Sequence, residues 1–453
     1  MKITRRDFAT FIAGTGAAAA LGQLARTATA APSGSYRAMV GVFLFGGNDG
    51  YNMVVPTDSR YAGYATSRGS VALAQNRLTA LEGSAYALHP AMSALNAVWA
   101  EGALGLVLNA GTLYAPLTKD TYRSRSDLRP TNLMSHSDEQ AHWQGLRART
   151  DNYDGFMGRL ADRASRPATP SLISLGGSNL AVIGQTSSPL ILPSTGTLSR
   201  TGFTAGSTPK NAAIDAFAGA AGMGTIADVT AKQITAAYTQ ATVANTILTA
   251  TSSVDAHFVN PTTGATLTSD VSRQLLRVAR LIEARGSLGH DRQTFFVTQG
   301  GYDNHSGQVN TDTSAGTHAN LLGDLAMALA AFYRAMKAMG MSENVTAFTM
   351  SDFGRTFKGN AQMGTDHAWG SNHLVVSGNL RPKLAHGIYP STVIGGTDDI
   401  SSEGRFVPTI AQEEYLGAIA RWHGVVDSDL SYVLPNWSTW TSGGRGPLGL
   451  FAA

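Results

Sequence analysis

The sequence predicts an α/β fold, a large and mostly parallel sheet covered by helices on both faces. Three observations predict it. Short apolar runs alternate with longer helical patterns along the chain. Those runs are nearly continuous rather than alternating with polar residues, which implies strands buried on both faces. Hydrophobic residues make up 43% of the 453 residues and charged residues 14%, enough for a sizeable core and too few charges for a disordered chain.

The elements follow in order. Ala38 to Phe45 reads as a buried strand ending in Gly46-Gly47-Asn48-Asp49-Gly50. Ala91 to Ala100 reads as helical, and Leu104 to Leu108 as a second strand. Leu172 to Leu175 and Leu190 to Leu192 are shorter strands. From about 195 to 285 the chain turns rich in Ala, Thr and Ser and loses its strand runs. Helices fit Asn211–Met223, Ile226–Thr251 and Leu267–Arg285 there, so we expect a helical insertion, either a cap over the site or a plain cover for the sheet. Thr294 to Thr298 is a further strand, running into Gly300-Gly301-Tyr302-Asp303. A helix from about Thr317 to Met339 follows, then a strand from Val345 to Met350 ending in Ser351-Asp352, and another at Leu374 to Val376. A last helix covers Ile410 to Trp422.

Before the first strand lies a leader. Thr4-Arg5-Arg6-Asp7-Phe8 precedes an uncharged, Ala- and Gly-rich stretch from Ala9 to Leu24, and Ala28-Thr29-Ala30 offers a small-x-small cleavage site. That is the layout of a twin-arginine signal peptide over residues 1–30, removed to leave residues 31–453 as a single domain. The apolar stretch is short and interrupted by Gly, too weak for a span of about 20 residues, and no later segment qualifies. A periplasmic or secreted protein is expected, with the twin-arginine translocase as its partner in export and no stable membrane span. Lys2, Arg5, Arg6 and Arg26 against Asp7 account for the whole net charge of +3. The rest of the chain is neutral overall, which argues against nucleic acid as a partner. Cysteine is absent, excluding disulfides, zinc–thiolate sites and thiol nucleophiles. Any metal must be held by Asp, Glu, His, Asn or a hydroxyl oxygen.

Four polar clusters sit at expected strand ends or in loops, where open α/β sheets bind ligands. In the first, two glycines let the chain turn and put Asp49 at a strand tip, as an ordinary Asp-Gly turn also would. In the second, Ser135-His136-Ser137-Asp138-Glu139 precedes a helix running to about Arg149. Ser137 or Asp138 could simply cap that helix, or the Ser135 hydroxyl could stand at its N-terminus, where a negative oxygen is stabilised. In the third, Asp303 and His305 are two apart, so in extended backbone they point to the same side and suit a divalent cation. The fourth runs from Asp352 and Arg355 to Asp366, His367 and His373. Arg355 could hold an anionic oxygen or pair with Asp352, and a surface loop would explain His373 equally well.

The order of these clusters resembles the alkaline phosphatase and sulfatase superfamily. The details resemble more closely a secreted bacterial family within it, domain of unknown function 1501. The matching stretches are the twin-arginine leader, Phe45-Gly-Gly-Asn-Asp-Gly-Tyr-Asn52, Ser135-His136 followed by Trp143, Gly155-Phe-Met-Gly-Arg-Leu160, Gly300-Gly-Tyr-Asp-Asn-His-Ser306, Thr349-Met-Ser-Asp-Phe-Gly-Arg-Thr356 and Gly364-Thr-Asp-His367. The superfamily likeness implies that Asp49 and Asp352 ligate one metal together with Ser135, the attacking hydroxyl. It implies that Asp303, His305 and His367 hold a second. One or two divalent ions (zinc, manganese, calcium or magnesium) would then serve hydrolysis of phosphate or related esters, small or polymeric. Two departures stand out. A His commonly follows the strand-end Asp, but here Phe353 does, so one site is incomplete or filled by Asp366, His136 or Asn52. The formylglycine precursor of sulfatases is missing. A non-catalytic periplasmic or cell-surface relative that kept the fold is therefore the alternative expectation.

Overall fold

A computed structural model describes residues 36–164, 170–199, 208–383 and 385–452. The leader lies outside them. The strands are β1 (Arg37–Leu44), β2 (Val54–Pro56), β3 (Thr79–Ala80), β4 (Tyr86–Leu88), β5 (Leu104–Gly111), β6 (Leu172–Ser174), β7 (Leu190–Ile191), β8 (Arg292–Gln299), β9 (Val345–Ser351), β10 (Ser371–Val376), β11 (Ala385–Gly387) and β12 (Ile410–Ala411).

Nine strands form one sheet in the order β11-β5-β10-β9-β1-β8-β6-β7, with β12 also paired to β5. Every pairing is parallel except the two made by β10. The other three strands make a small antiparallel sheet, β2-β4-β3. The apolar run of β1 explains its central place. Ala38, Val40, Val42 and Leu44 enter the core on one face, while Met39 and Phe43 enter the core on the other. A strand that feeds two cores must be apolar at every position, because its side chains alternate between the faces.

Helices cover both faces. Thr317–Ala338 buries Leu322, Leu325, Leu329 and Phe332 at the three-to-four spacing of one helix face, and Asp270–Glu283 does the same with Val271, Leu275, Val278 and Ile282. Both feed the first core. Phe156–Arg163 and Gln412–His423 feed the second. The stretch before β8 holds helices Thr208–Gly219, Thr225–Thr249 and Asp270–Glu283. Only the last is embedded in the sheet's covering layer; few residues of Thr225–Thr249 are buried. The stretch at Ala91–Ala100 is split: a tight turn of helix over Pro90–Leu95 leaves helical geometry at Met92, and Asn96–Ala100 is a short α-helix. No helix among the described residues is long and apolar enough to cross a membrane.

Register positions the site. Leu44 pairs with Gln299 on one side and with Ser351 on the other. Adjacent β9, β1 and β8 therefore end level, and the loops that follow them share one carboxyl edge. Because β10 runs the opposite way, the loop entering it at Ser371 comes to the same edge. Four segments far apart in sequence thus meet: 45–49, 300–305, 352–355 and 366–370.

Candidate metal centre

His136, Asp303 and His367 bring three ligand atoms within 4.8 Å of one another. His305 joins them, its Nε2 lying 3.0 Å from Asp303 Oδ1 and 2.9 Å from His367 Nε2. His367 Nε2 is 3.2 Å from the same carboxylate oxygen, and His136 Nε2 is 3.5 Å from Asp303 Oδ2. Each imidazole is anchored through its other nitrogen. His136 Nδ1 is 2.7 Å from Asp352 Oδ2, His305 Nδ1 is 2.7 Å from Asp366 Oδ1, and His367 Nδ1 is 2.9 Å from the carbonyl of Met134. An oxygen that can only accept requires N–H at Nδ1, so in each neutral ring Nε2 bears a lone pair.

Local structure supplies these anchors. Ser135 is the N-cap residue of helix His136–Gly145, whose first residue is His136. Gln140, one turn on, donates to Asp352 Oδ2 at 2.8 Å from the same helix face. Met134 has φ +69°, the left-handed region that a side chain rarely adopts. Its N–H is held at 2.8 Å by the buried carboxylate of Glu139, and the conformation turns its carbonyl to His367. Gly46 has φ +110°, and a Cβ there would lie 2.5 Å from the Asp303 nitrogen. Only glycine lets the β1 and β8 loops come so close.

The electrostatics divide the cluster. Partial burial pushes the Asp303 carboxyl up, but the hydrogen bond and charge of Arg355 outweigh it and hold it at about 2. The hydrogen bond to Asp352 raises His136. Burial lowers His367 and keeps it neutral. Phe353 packs its ring against both, with centroids 4.8 Å from His136 and 4.6 Å from His367.

Four sequence expectations are corrected. Asp49 is apart from the cluster and fully engaged. It caps the short helix Gly50–Met53, accepting from Tyr51 and Asn52 N–H at 3.2 Å, pairs with Arg68 and accepts from Gln308 at 2.6 Å. Arg68 is completely buried; burial alone would raise the Asp49 pKa, but the charges of Arg68 and His318 and the hydrogen bonds from Arg68 and Gln308 together hold it below its ordinary value. Asp352 and Asp366 are anchors for His136 and His305, so they stand one step behind the ligand atoms. Arg355 faces carbonyls and Asp303. It is buried and clamps the carbonyls of Gly46, Gly47, Tyr302 and Thr365 while holding Asp303. Its role is to fix three loops at the sheet edge. His373 is not on a surface loop; it is buried on β10 against Trp143 and Tyr415.

Ser135 flanks the cluster through its neighbour His136. Its hydroxyl makes no capping bond to the helix; it donates to Asp138 Oδ2 at 2.6 Å, and Asn132 holds Asp138 Oδ1 at 2.8 Å. The Ser135 bond, followed by the Asn132 bond, keeps the Asp138 carboxyl below its ordinary range. Sequence reading missed Gln140, Glu139 and Arg68. The first two carried a signal, the helical spacing of three and four residues from His136; Arg68 carried none.

The residues fit a divalent cation. The Nε2 atoms of His305 and His367 face each other across 2.9 Å beside a carboxylate oxygen, and with both rings neutral they would meet lone pair to lone pair. His136 Nε2 is buried without a hydrogen-bond partner, 3.5 Å from Asp303 Oδ2. Such an arrangement is repulsive unless a positive charge sits among the atoms.

No curated protein matches this chain in sequence. Solved structures that match in fold include a protein in the alkaline phosphatase superfamily from Vibrio parahaemolyticus, 9% identical over 87% of this chain and 74% of that one, with a TM-score of 0.34. Another is Ps i-CgsB, 11% identical over 91% and 78%, with a TM-score of 0.36. A third comes from work on the metabolism of multiple glycosaminoglycans by Bacteroides thetaiotaomicron, 12% identical over 87% and 74%, with a TM-score of 0.34. The family model described as "Protein of unknown function (DUF1501)" matches residues 36–410, so the chain belongs to that family.

Proposed function

We propose that this protein is an exported, metal-dependent hydrolase of phosphate or related esters in which Ser135 is the attacking hydroxyl. The observation that carries the reading is the convergence of three anchored imidazoles on Asp303, with two Nε2 atoms facing each other across 2.9 Å. His136, His305, His367 and Asp303 would hold the cation. When bound, it supplies positive charge against the ester's oxygens.

The remaining work falls to the chain's own residues. Asp138, kept ionised by its hydrogen bonds, is poised to accept the Ser135 proton as the oxygen attacks. Asn132 orients Asp138, as the third member of such arrangements does. Arg355 keeps Asp303 ionised and in place. As the Ser135 oxygen bonds to phosphorus, the ester's bond to its alcohol breaks and the alcohol leaves with the proton that Asp138 returns; water then cleaves the phosphoryl–Ser135 bond, releasing phosphate and restoring the hydroxyl. The substrate is an ester, small or polymeric.

Ser135→Ala tests the nucleophile. Turnover should fall by roughly 10³-fold or more, on the best substrate from a screen of phosphomonoesters, phosphodiesters and sulfate esters. Melting temperature should barely move, because the hydroxyl makes no bond to the helix backbone. Retained turnover would shift the role to Ser137 or to water. A non-catalytic binding protein is the second reading, favoured by Phe353, which packs its ring against His136 and His367 and offers no atom to a metal.

Export through the twin-arginine translocase is part of the proposal, supported by Arg5-Arg6 and the apolar stretch after it. Arg5→Lys with Arg6→Lys should leave unprocessed protein in the cytoplasm, because the two side chains are not interchangeable for a guanidinium reader. Normal processing of the double variant would reject this route.

A further inference from the structure

We infer that the centre takes one divalent cation of the zinc-like, first-row transition class, and that the guanidinium of Arg68 stands where the resemblance implies a second. The inference rests on the metal part of the proposed function and not on ester cleavage.

The number follows from which donors are spent. Asp49 Oδ1 receives two backbone N–H groups, and Oδ2 receives Arg68 and the Gln308 amide. Four donors saturate a carboxylate. Asp352 receives three donors: His136 and Gln140 meet Oδ2, and the Gly46 N–H lies 3.2 Å from both oxygens. Phe353 adds no donor. The resemblance assigns the other ion to Asp49, Asp352 and Ser135, and these residues do not fit one. Arg68 supplies the missing charge. It is wholly buried, donates to the carbonyls of Thr356 and Phe357 at 3.2 and 3.1 Å, and lies over the Phe357 ring at 5.5 Å. A guanidinium is always charged, so Asp49 is neutralised without any supply of metal.

The class follows from the donors that remain. Three imidazole nitrogens and one carboxylate suit zinc, cobalt, manganese or ferrous ions. Calcium wants six to eight oxygens, and magnesium an octahedron of oxygens with several waters, neither of which three imidazoles provide. Each imidazole already donates its Nδ1–H to a carboxylate or carbonyl, which orients the ring and makes Nε2 more basic.

The test is metal binding by the full mature chain, independent of activity. Protein stripped with chelator and then dialysed is titrated calorimetrically with Zn²⁺, Co²⁺, Mg²⁺ and Ca²⁺. The visible spectrum of the Co²⁺ form reports nitrogen ligation. One equivalent of Zn²⁺ or Co²⁺ is expected, not displaced by excess Mg²⁺ or Ca²⁺. His305→Ala, at a half-exposed position, should abolish tight binding and change the Co²⁺ spectrum. Asp366→Asn should weaken binding by roughly 10- to 100-fold, as loss of an orienting partner does. Two equivalents, or preference for Mg²⁺ or Ca²⁺, would overturn the inference. So would no binding at all, with NMR finding an imidazolium proton between His305 and His367 instead. Tight binding of one Zn²⁺ without hydrolysis of any ester would keep the inference and reject the hydrolase.

Discussion

Asp49 and Asp303 stand just past the level ends of two neighbouring parallel strands, β1 and β8, and the structure uses them in opposite ways. Asp49 is 1% exposed and meets a buried arginine, an amide and two backbone N–H groups. Asp303 has a side chain 47% exposed and faces three imidazoles whose other nitrogens are already anchored. A carboxylate at a strand end is therefore no sufficient mark of a metal ligand. What decides is whether donors saturate the carboxylate, as four do at Asp49, or whether imidazole nitrogens stand beside it, as at Asp303, where Arg355 is the permanent cation.

The comparison breaks most sharply at Arg68. Arg68→Met would leave Asp49 buried and unpaired, at a cost of about 3–5 kcal/mol. Adding Asp49→Asn to the same chain should recover a large part of it, since a neutral amide tolerates burial better than a lone charge. Denaturant unfolding of the single and double variants measures both. In Asp303→Asn the order reverses: metal is lost, while stability without metal hardly changes, because a half-exposed pair with Arg355 contributes little. A neutral Arg68→Met would show that the buried pair is not what holds Asp49.

A smaller effect separates the two regions by pH. His89 and His318 lie on the Asp49 side, 6.0 Å apart, with burial lowering them to about 3 and about 4. A group depressed in the folded state stabilises the fold above its unfolded value and loses that contribution as pH falls. Each should cost roughly 1 kcal/mol between pH 6.5 and 5.5, since only the unfolded chain takes up the proton. His136, raised by Asp352, behaves the other way in metal-free protein. Its stabilisation is present below the unfolded value and is lost as pH rises through its folded value. Melting temperatures of metal-free protein across pH 5 to 8 follow the sum. His318→Asn should flatten the acid limb and His136→Asn the limb above neutrality. An unchanged acid limb in His318→Asn would mean that this ring is not neutral in the fold.

Much of the fold was legible because it depends on local pattern. A run such as Met39 to Leu44 can only be a strand packed on both faces, and the spacing of Leu322, Leu325 and Leu329 can only be one buried helix face. Within the site, Asp303 and His305 were readable as a pair from their separation of two, and His136 entered through the resemblance, as one of three residues that could fill the place left by Phe353. Gln140 and Glu139 were within reach of the same helical arithmetic.

The sequence by itself determined the α/β class, the continuous strands, the strand-end polar clusters and the absence of thiol chemistry, because each depends on residue type or on short spacings. Tertiary structure decided what each polar residue does. The level ends of β9, β1 and β8 and the reversed β10 bring together residues far apart in the chain, His136 and His367 separated by 231 positions and Gly46 and Asp352 by 306. The same folding carries Arg68 to Asp49 and Arg355 to four carbonyls, turning an expected ligand into a buried ion pair and an expected anion holder into a clamp. The physical reason is that charge and hydrogen-bonding capacity are exhausted by whichever partner arrives, and the arrival of a distant partner is set by strand order and register, which no local spacing records.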